Sequence, residues 1–179
     1  KEDFRYAQWR KDWGKWVIPR AFLQVFMLQG TLMFLIGSTV FYINTSDLDF
    51  NYLSLIGVAL WVIGYYFEAV GDSQLKKHIK NKDAKGQLLK TGLWSLTRHP
   101  NYFGEVTQWW GLWLICASSS LPLGTKLFAL IGPTTITVLI LFVSGIPLLE
   151  KKYEKDKKYQ EYARRTNIFF PGNPRKVAK

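Results

Sequence analysis

Sulfur and imidazole are scarce in this chain of 179 residues, which holds one cysteine, two histidines and two methionines. A single cysteine, Cys116, cannot build a disulfide framework. One Cys and two His also leave too few soft ligands for a four-coordinate structural zinc site. The first 19 residues are charged and hold no apolar core, so they show no signal-peptide pattern. The chain opens on Lys1 without a starting Met and reads as the interior of a longer protein. No internal repeat is visible. Acidic residues are the scarcer charge, 13 against 24 basic ones, for a net charge of +11.

What the chain has is blocks of apolar residues. The mean hydropathy of −0.04 would suit a soluble protein, but that average hides the segregation of apolar and charged residues. Crossing roughly 30 Å of hydrocarbon takes about 20 mostly apolar residues in a helix. Four stretches meet or approach this length: about 21–43, 52–71, 101–117 and 127–149. Helices are expected for all four, because lipid offers the backbone no hydrogen-bond partners. Charge placement agrees. All basic residues except Lys126 lie in residues 1–20, 72–100 or 150–179. Four crossings put these three segments on one side, and the excess of Lys and Arg predicts that this side, with both termini, is cytoplasmic. Trp16, Tyr42, Tyr52, Tyr65, Tyr66, Trp109 and Trp110 near the segment ends fit an interfacial belt. Topology and attraction to anionic headgroups account for the net charge, so no nucleic-acid partner is expected. The sequence predicts an all-α, polytopic membrane protein with about four transmembrane helices.

Local signals refine the picture. Residues 1–19 alternate charges with Trp9, Trp13 and Trp16, as in a segment lying on a membrane surface. Pro19 and Pro100 suit first helical turns. Residues 44–51 and 118–126 read as outer connections. The stretch from Gly71 to Lys80 is expected to prolong the second helix beyond the membrane. Kinks are expected at Pro133 and Pro147. Residues 150–166 read as one charged, amphipathic C-terminal helix, whose Tyr153, Tyr159 and Tyr162 are expected at the interface.

Ionisable groups inside membrane segments are costly and point to function. Glu68 and Asp72 stand four apart, on one helix face. Asn101 and Glu105 repeat that spacing, with Gln108 one turn on. Both faces lie near the cytoplasmic ends of their helices, and together they suit a polar cavity. The alternative is that the carboxylates pair with Arg98 or loop lysines and only fix helix packing. Arg98, at a helix N-terminus, has the fork geometry to grip a phosphate, with Lys76, Lys77 and Lys80 as further cations. The plainer reading of each lysine is contact with lipid headgroups.

The string Gly92-Leu-Trp-Ser-Leu-Thr-Arg-His-Pro-Asn-Tyr-Phe-Gly-Glu, followed by Trp109 or Trp110, resembles the signature of the steroid 5-alpha-reductase family. Its DUF1295 branch is the most similar. Glu2-Asp-Phe-Arg-Tyr with Trp9-Arg-Lys, Phe26-Met-Leu-Gln-Gly, Glu150 with Tyr159-Gln-Glu-Tyr-Ala-Arg-Arg-Thr, and Phe170-Pro also match that branch. The Arg-His-Pro-x-Tyr element is similar, more loosely, to isoprenylcysteine carboxyl methyltransferases and sterol reductases. The resemblance implies one membrane-embedded, cofactor-binding domain over residues 1–179, with NADPH bound from the cytoplasmic side. It implies cofactor contacts from Glu68, Asp72, Lys76, Arg98, His99, Asn101, Tyr102, Gly104, Glu105, Glu150 and Tyr162. Glu68 stands where the family often has Asn. The reductases' C-terminal histidine and tyrosine have no clear counterpart near Glu150, and their substrate-binding helices would precede residue 1.

The expected activity is therefore NADPH-dependent reduction of the C=C bond of a steroid-like or lipid enone. Two alternatives stand beside it. One is a methyltransferase using S-adenosylmethionine on a lipid or prenylated acceptor. The other is a non-catalytic subunit of a larger membrane complex that keeps the fold. Membrane lipids and an apolar substrate are the expected partners.

Overall fold

A computed structural model describes residues 4–47 and 51–175 of the chain. Glu2 and Asp3 of the first matching stretch, residues 48–50 of the first outer connection, and Lys176 and Lys179 lie outside the described residues. The described residues form helices and no strand, the one bridge being an isolated parallel pairing of Thr97 with Asn167.

The first rod runs through α1 (Phe4–Trp13), α2 (Val17–Ala21) and α3 (Leu28–Asn44), joined by a 3₁₀ turn at Gly14–Trp16 and a π-helical stretch at Phe22–Met27. Next come α4 (Tyr52–Lys80), the short α5 (Leu93–Leu96) and α6 (Pro100–Ser118). A broken rod of α7 (Leu123–Ala129), α8 (Ile131–Val138) and α9 (Ile146–Tyr153) follows, and α10 (Lys157–Arg165) completes the described helices. Three helical stretches are long and apolar enough to cross a membrane: Tyr6–Asn44, Tyr52–Lys80 and Leu123–Tyr153. The expected third crossing is α6, which carries Asn101, Glu105, Thr107 and Gln108 and is not among these three.

Helix starts follow local chemistry. Asn51 caps α4, its side chain accepting from Leu53 N at 2.9 Å and Ser54 N at 3.2 Å, while the Ser54 hydroxyl accepts from Asn51 N. The helix then continues to Lys80, so residues 71–80 prolong it as expected. Pro100 and Pro147 both sit in first turns, where a missing N–H costs nothing. The π-helical stretch at Leu139–Val143 ends at Ser144 and Gly145, whose N–H groups both reach Leu139 O. The rod thus breaks just before Pro147, and a turn at Leu130 falls before Pro133. The charged C-terminal helix expected over 150–166 is two helices. Glu150 belongs to α9, and Asp156 opens α10 by accepting from Lys158 N at 2.8 Å.

The centre of the fold is the antiparallel pair α4 and α6. Gly57, Gly64 and Gly71 recur every seventh residue on α4, and Gly104 and Gly111 do so on α6. Gly57 meets Gly111 and Gly64 meets Gly104. A Cβ built on Gly64 would lie 2.6 Å from Gly104 O, and one on Gly111 would lie 2.7 Å from Gly57 O. With no side chains between them, the backbones touch along the seam, the packing that membrane helices favour where no hydrophobic effect drives association. A repeat of seven keeps a seam in register along two helices. Elsewhere Gly132 of α8 packs on Ile36 O and the Thr39 hydroxyl, and Thr39 donates to Ala129 O at 2.7 Å. Val106, Ile136, Ile140, Ile146 and Phe169 form the buried core, joining α6, α8, α9 and the C-terminal segment.

Candidate functional site

The glycine seam sets the site by deciding which residues flank it. Just beside it on α4 lie Glu68 and Asp72, and on α6 Asn101, Glu105 and Gln108. Asn101 Nδ2 donates to Asp72 Oδ1 at 3.0 Å, and Gln108 Nε2 donates to Glu68 Oε2. Glu105 sits within electrostatic reach of Glu68 and Asp72. The two i, i+4 faces expected from sequence therefore join into one polar face. Glu68 and Asp72 meet amides of the neighbouring helix rather than Arg98 or the loop lysines. Gly104 serves by absence: a Cβ there would lie 2.5 Å from Glu68 N.

Arg98 and His99 enter α6 from a segment held by the far end of the chain. Arg98 N donates to Asn167 O at 2.9 Å, Thr97 Oγ1 to Ile168 O at 3.3 Å and Gly172 N to Leu96 O at 3.0 Å. Arg98 is only 9% exposed. Its Nε and Nη2 donate to Glu150 at 3.1 and 2.8 Å, and its Nη1 donates to Ala163 O and Thr166 O, both at 3.0 Å. The guanidinium thus ties the end of α9 to the C-terminus of α10, whose last carbonyls need donors. The fork expected to face phosphate is turned inward on protein acceptors. Glu150 also accepts from His99 Nε2 at 2.9 Å and Tyr159 Oη at 2.5 Å.

Tyr159 and Tyr162 are buried, not displayed at an interface. Tyr162 Oη donates to Trp94 O. Burial pushes both phenols above their ordinary pKa, with the Glu150 carboxylate adding to the rise. Sequence reading missed Tyr159 as a member of this cluster. Its signal was present in the spacing: Tyr159 and Tyr162 stand three apart and share the apolar face of α10.

Some of these groups line one cavity of about 380 Å³. Arg98, His99, Asn101, Tyr102, Tyr159 and Tyr162 form its polar and aromatic wall, and Leu75, Ile79, Leu88, Leu89, Trp94 and Leu149 its apolar wall. His99 stacks on Tyr102, ring centroids 5.6 Å apart. Leu75, His78 and Ile79 of α4 face this space, while Lys76, Lys77 and Lys80 alternate with them on an exposed face. Of the eleven expected contacts, five line the cavity: Arg98, His99, Asn101, Tyr102 and Tyr162. Glu150 stands behind Arg98 and His99, Asp72 is bonded to Asn101, and Glu68, Gly104 and Glu105 continue the polar face along the seam. Lys76 is exposed beside the cavity-facing turn of α4. The chemistry on offer is an aromatic slot with an amide at one end, an anchored imidazole in its wall and cations beside it.

No curated protein and no solved structure matches the chain. The family described as "Protein of unknown function (DUF1295)" matches residues 1–166. That match spans every element of the cavity wall, from α4 to Tyr162, and the chain belongs to the DUF1295 family.

Proposed function

We propose that the chain is a membrane-bound, NADPH-dependent reductase of the C=C bond in a steroid-like or lipid enone. The observation that carries this reading is the pairing of an aromatic cavity with a basic rim. The cavity is within the range that small-molecule sites occupy, and aromatic walls with a few polar groups are what a planar ring needs. The residues fit such a group. Asn101 offers an amide to a ring carboxamide, and Tyr102, Trp94, Tyr153 and Tyr162 offer flat surfaces. Lys76, Lys77 and Lys80 on the adjoining face of α4 suit phosphates that remain outside the slot. Asp72 holds the Asn101 amide in place. Once bound, such a cofactor supplies a hydride, while the protein positions and polarises the reactants. In this reading α6 is a fourth crossing, and the basic segments and both ends of the described chain face the cytoplasm.

A second reading rests on one observation. Among the described residues no lysine lines the cavity, Arg98 is already paired, and Glu68, Asp72 and Glu105 cluster on the polar face that continues from Asn101. A cationic methyl donor, S-adenosylmethionine, suits that balance of charge. Isothermal titration of the detergent-solubilised protein with each cofactor separates the two. The reductase reading expects micromolar NADPH binding that weakens at least tenfold in Asn101→Ala and Glu105→Ala. Binding of S-adenosylmethionine alone moves the assignment to a methyltransferase. Binding of neither by folded protein leaves a structural membrane subunit.

A further inference from the structure

Two imidazoles line the cavity, His78 and His99; of the two, His99 is the buried one and is held by a carboxylate, whereas His78 meets the Gln87 carbonyl. Glu150 accepts four hydrogen bonds, two from Arg98, one from Tyr159 and one at His99 Nε2. A carboxylate facing a guanidinium fork has no proton to offer, so Nε2 must carry the hydrogen of that bond. In the neutral ring this leaves Nδ1 with a lone pair. His99 is only 4% exposed, yet Nδ1 has no hydrogen-bond partner among the described residues. Among the described residues no fully buried side-chain nitrogen or oxygen lacks a partner. Nδ1 is therefore reachable, and the surface it reaches is that of the cavity that His99 lines. Stacking on Tyr102 fixes the ring from a further side, and the bond from His99 N to Thr97 Oγ1 at 3.3 Å fixes the backbone that carries it.

We propose that His99 is the acid–base group of this cavity, with Nδ1 exchanging protons with the bound substrate and Glu150 holding the ring in the required tautomer. The proposal rests on the reductase reading for the nature of the substrate. Reducing a conjugated C=C bond adds a hydride to one carbon and a proton to the other. The two electrons would come with a hydride, which a reduced nicotinamide supplies when bound. The proton comes from Nδ1–H of the His99 imidazolium, which returns to the neutral ring and regains a proton from water. Throughout, Nε2–H stays on Glu150, whose charge offsets the imidazolium, the division of labour found wherever a carboxylate orients a catalytic histidine. Arg98 and Tyr159 are positioning residues. They hold Glu150 and do not face Nδ1.

Two measurements on the full chain test this without a known substrate. The first is nitrogen NMR of protein labelled at histidine, in detergent and under mildly alkaline conditions. Loss of one signal in His99→Gln assigns the ring. The proposal expects a protonated Nε2 and a bare Nδ1, and a mixture of tautomers in Glu150→Gln. A proton on Nδ1 in the unaltered protein overturns it. The second is reaction with diethyl pyrocarbonate, read by tandem mass spectrometry, which separates His99 from His78. Modification of His99 is expected, and an unreactive His99 overturns the proposal. NADPH present during the reaction should protect His99. Modification without protection retains the acid–base group but sinks the cofactor reading, so the two failures are distinguishable.

Discussion

Gly64 and Gly104 face each other so closely that a Cβ on either would lie within 2.6 Å of the other's carbonyl oxygen. Glu68 stands one turn beyond Gly64 and Glu105 directly follows Gly104, so the close approach of the two glycines brings the two carboxylates within electrostatic reach of each other. Gly64→Leu and Gly104→Val should each destabilise the protein by about 1–3 kcal/mol or more, the cost of overpacking a close contact. Gly30 has open space where a Cβ would go. Gly30→Ala should be neutral or slightly stabilising. Thermal unfolding in detergent checks the contrast.

Removing one side of the Arg98–Glu150 pair leaves the other charge, buried at Arg98 and half-buried at Glu150, without its partner. Glu150→Ala and Arg98→Ala should each cost about 3–5 kcal/mol. The double variant should cost much less than the sum, since the two residues share one network. Equal additivity in a double-mutant cycle would show that the pair is not coupled.

The two buried phenols give stability a dependence on alkaline pH. Tyr159 and Tyr162 have folded-state pKa values above the ordinary value of 10.0, so they hold their protons better in the folded protein. Their contribution is complete below pH 10 and is lost as pH rises through the folded values. Tyr162→Phe should therefore lower stability at neutral pH, through the lost bond to Trp94 O, and flatten its decline above pH 10. Melting temperatures across that range test both parts.

Under the proposed reductase reading, the lysines beside the cavity should separate cofactors by charge. Replacing Lys76, Lys77 and Lys80 together with Gln should weaken NADPH binding about tenfold or more and NADH binding less, because only NADPH carries the 2′-phosphate. Added salt should erase most of the difference, as it screens exposed charges. Equal effects on the two nucleotides would remove these lysines from the site.

The Asn51 cap offers a local test far from the cavity. Asn51→Ala loses the bonds to Leu53 N and Ser54 N and a further bond to Ser118 O at 3.2 Å. It should cost about 1 kcal/mol and leave NADPH binding unchanged.

Much of this arrangement was written in local pattern. Apolar blocks separated by basic segments dictate an all-helical membrane fold, since lipid must be met by internally bonded backbone. The i, i+4 spacing of Glu68 with Asp72 and Asn101 with Glu105 fixes each pair on one helix face, and Pro100 fixes where α6 begins. The seven-residue spacing of the glycines was also there to be read, but spacing alone does not say which glycine meets which.

Pairing across distance needed the tertiary structure. Arg98 reads in sequence as a free fork at a helix N-terminus, and only the approach of Glu150 and the C-terminal carbonyls turns it inward. Tyr159 and Tyr162 read as interfacial aromatics until α10 breaks from α9 at Asp156 and folds them onto Glu150 and Trp94. Sequence by itself determined the medium, the helices and the faces, because these depend on neighbours within a turn or two of helix. Which faces meet, and hence that His99 is anchored at one nitrogen and open at the other, depended on contacts between residues more than fifty positions apart.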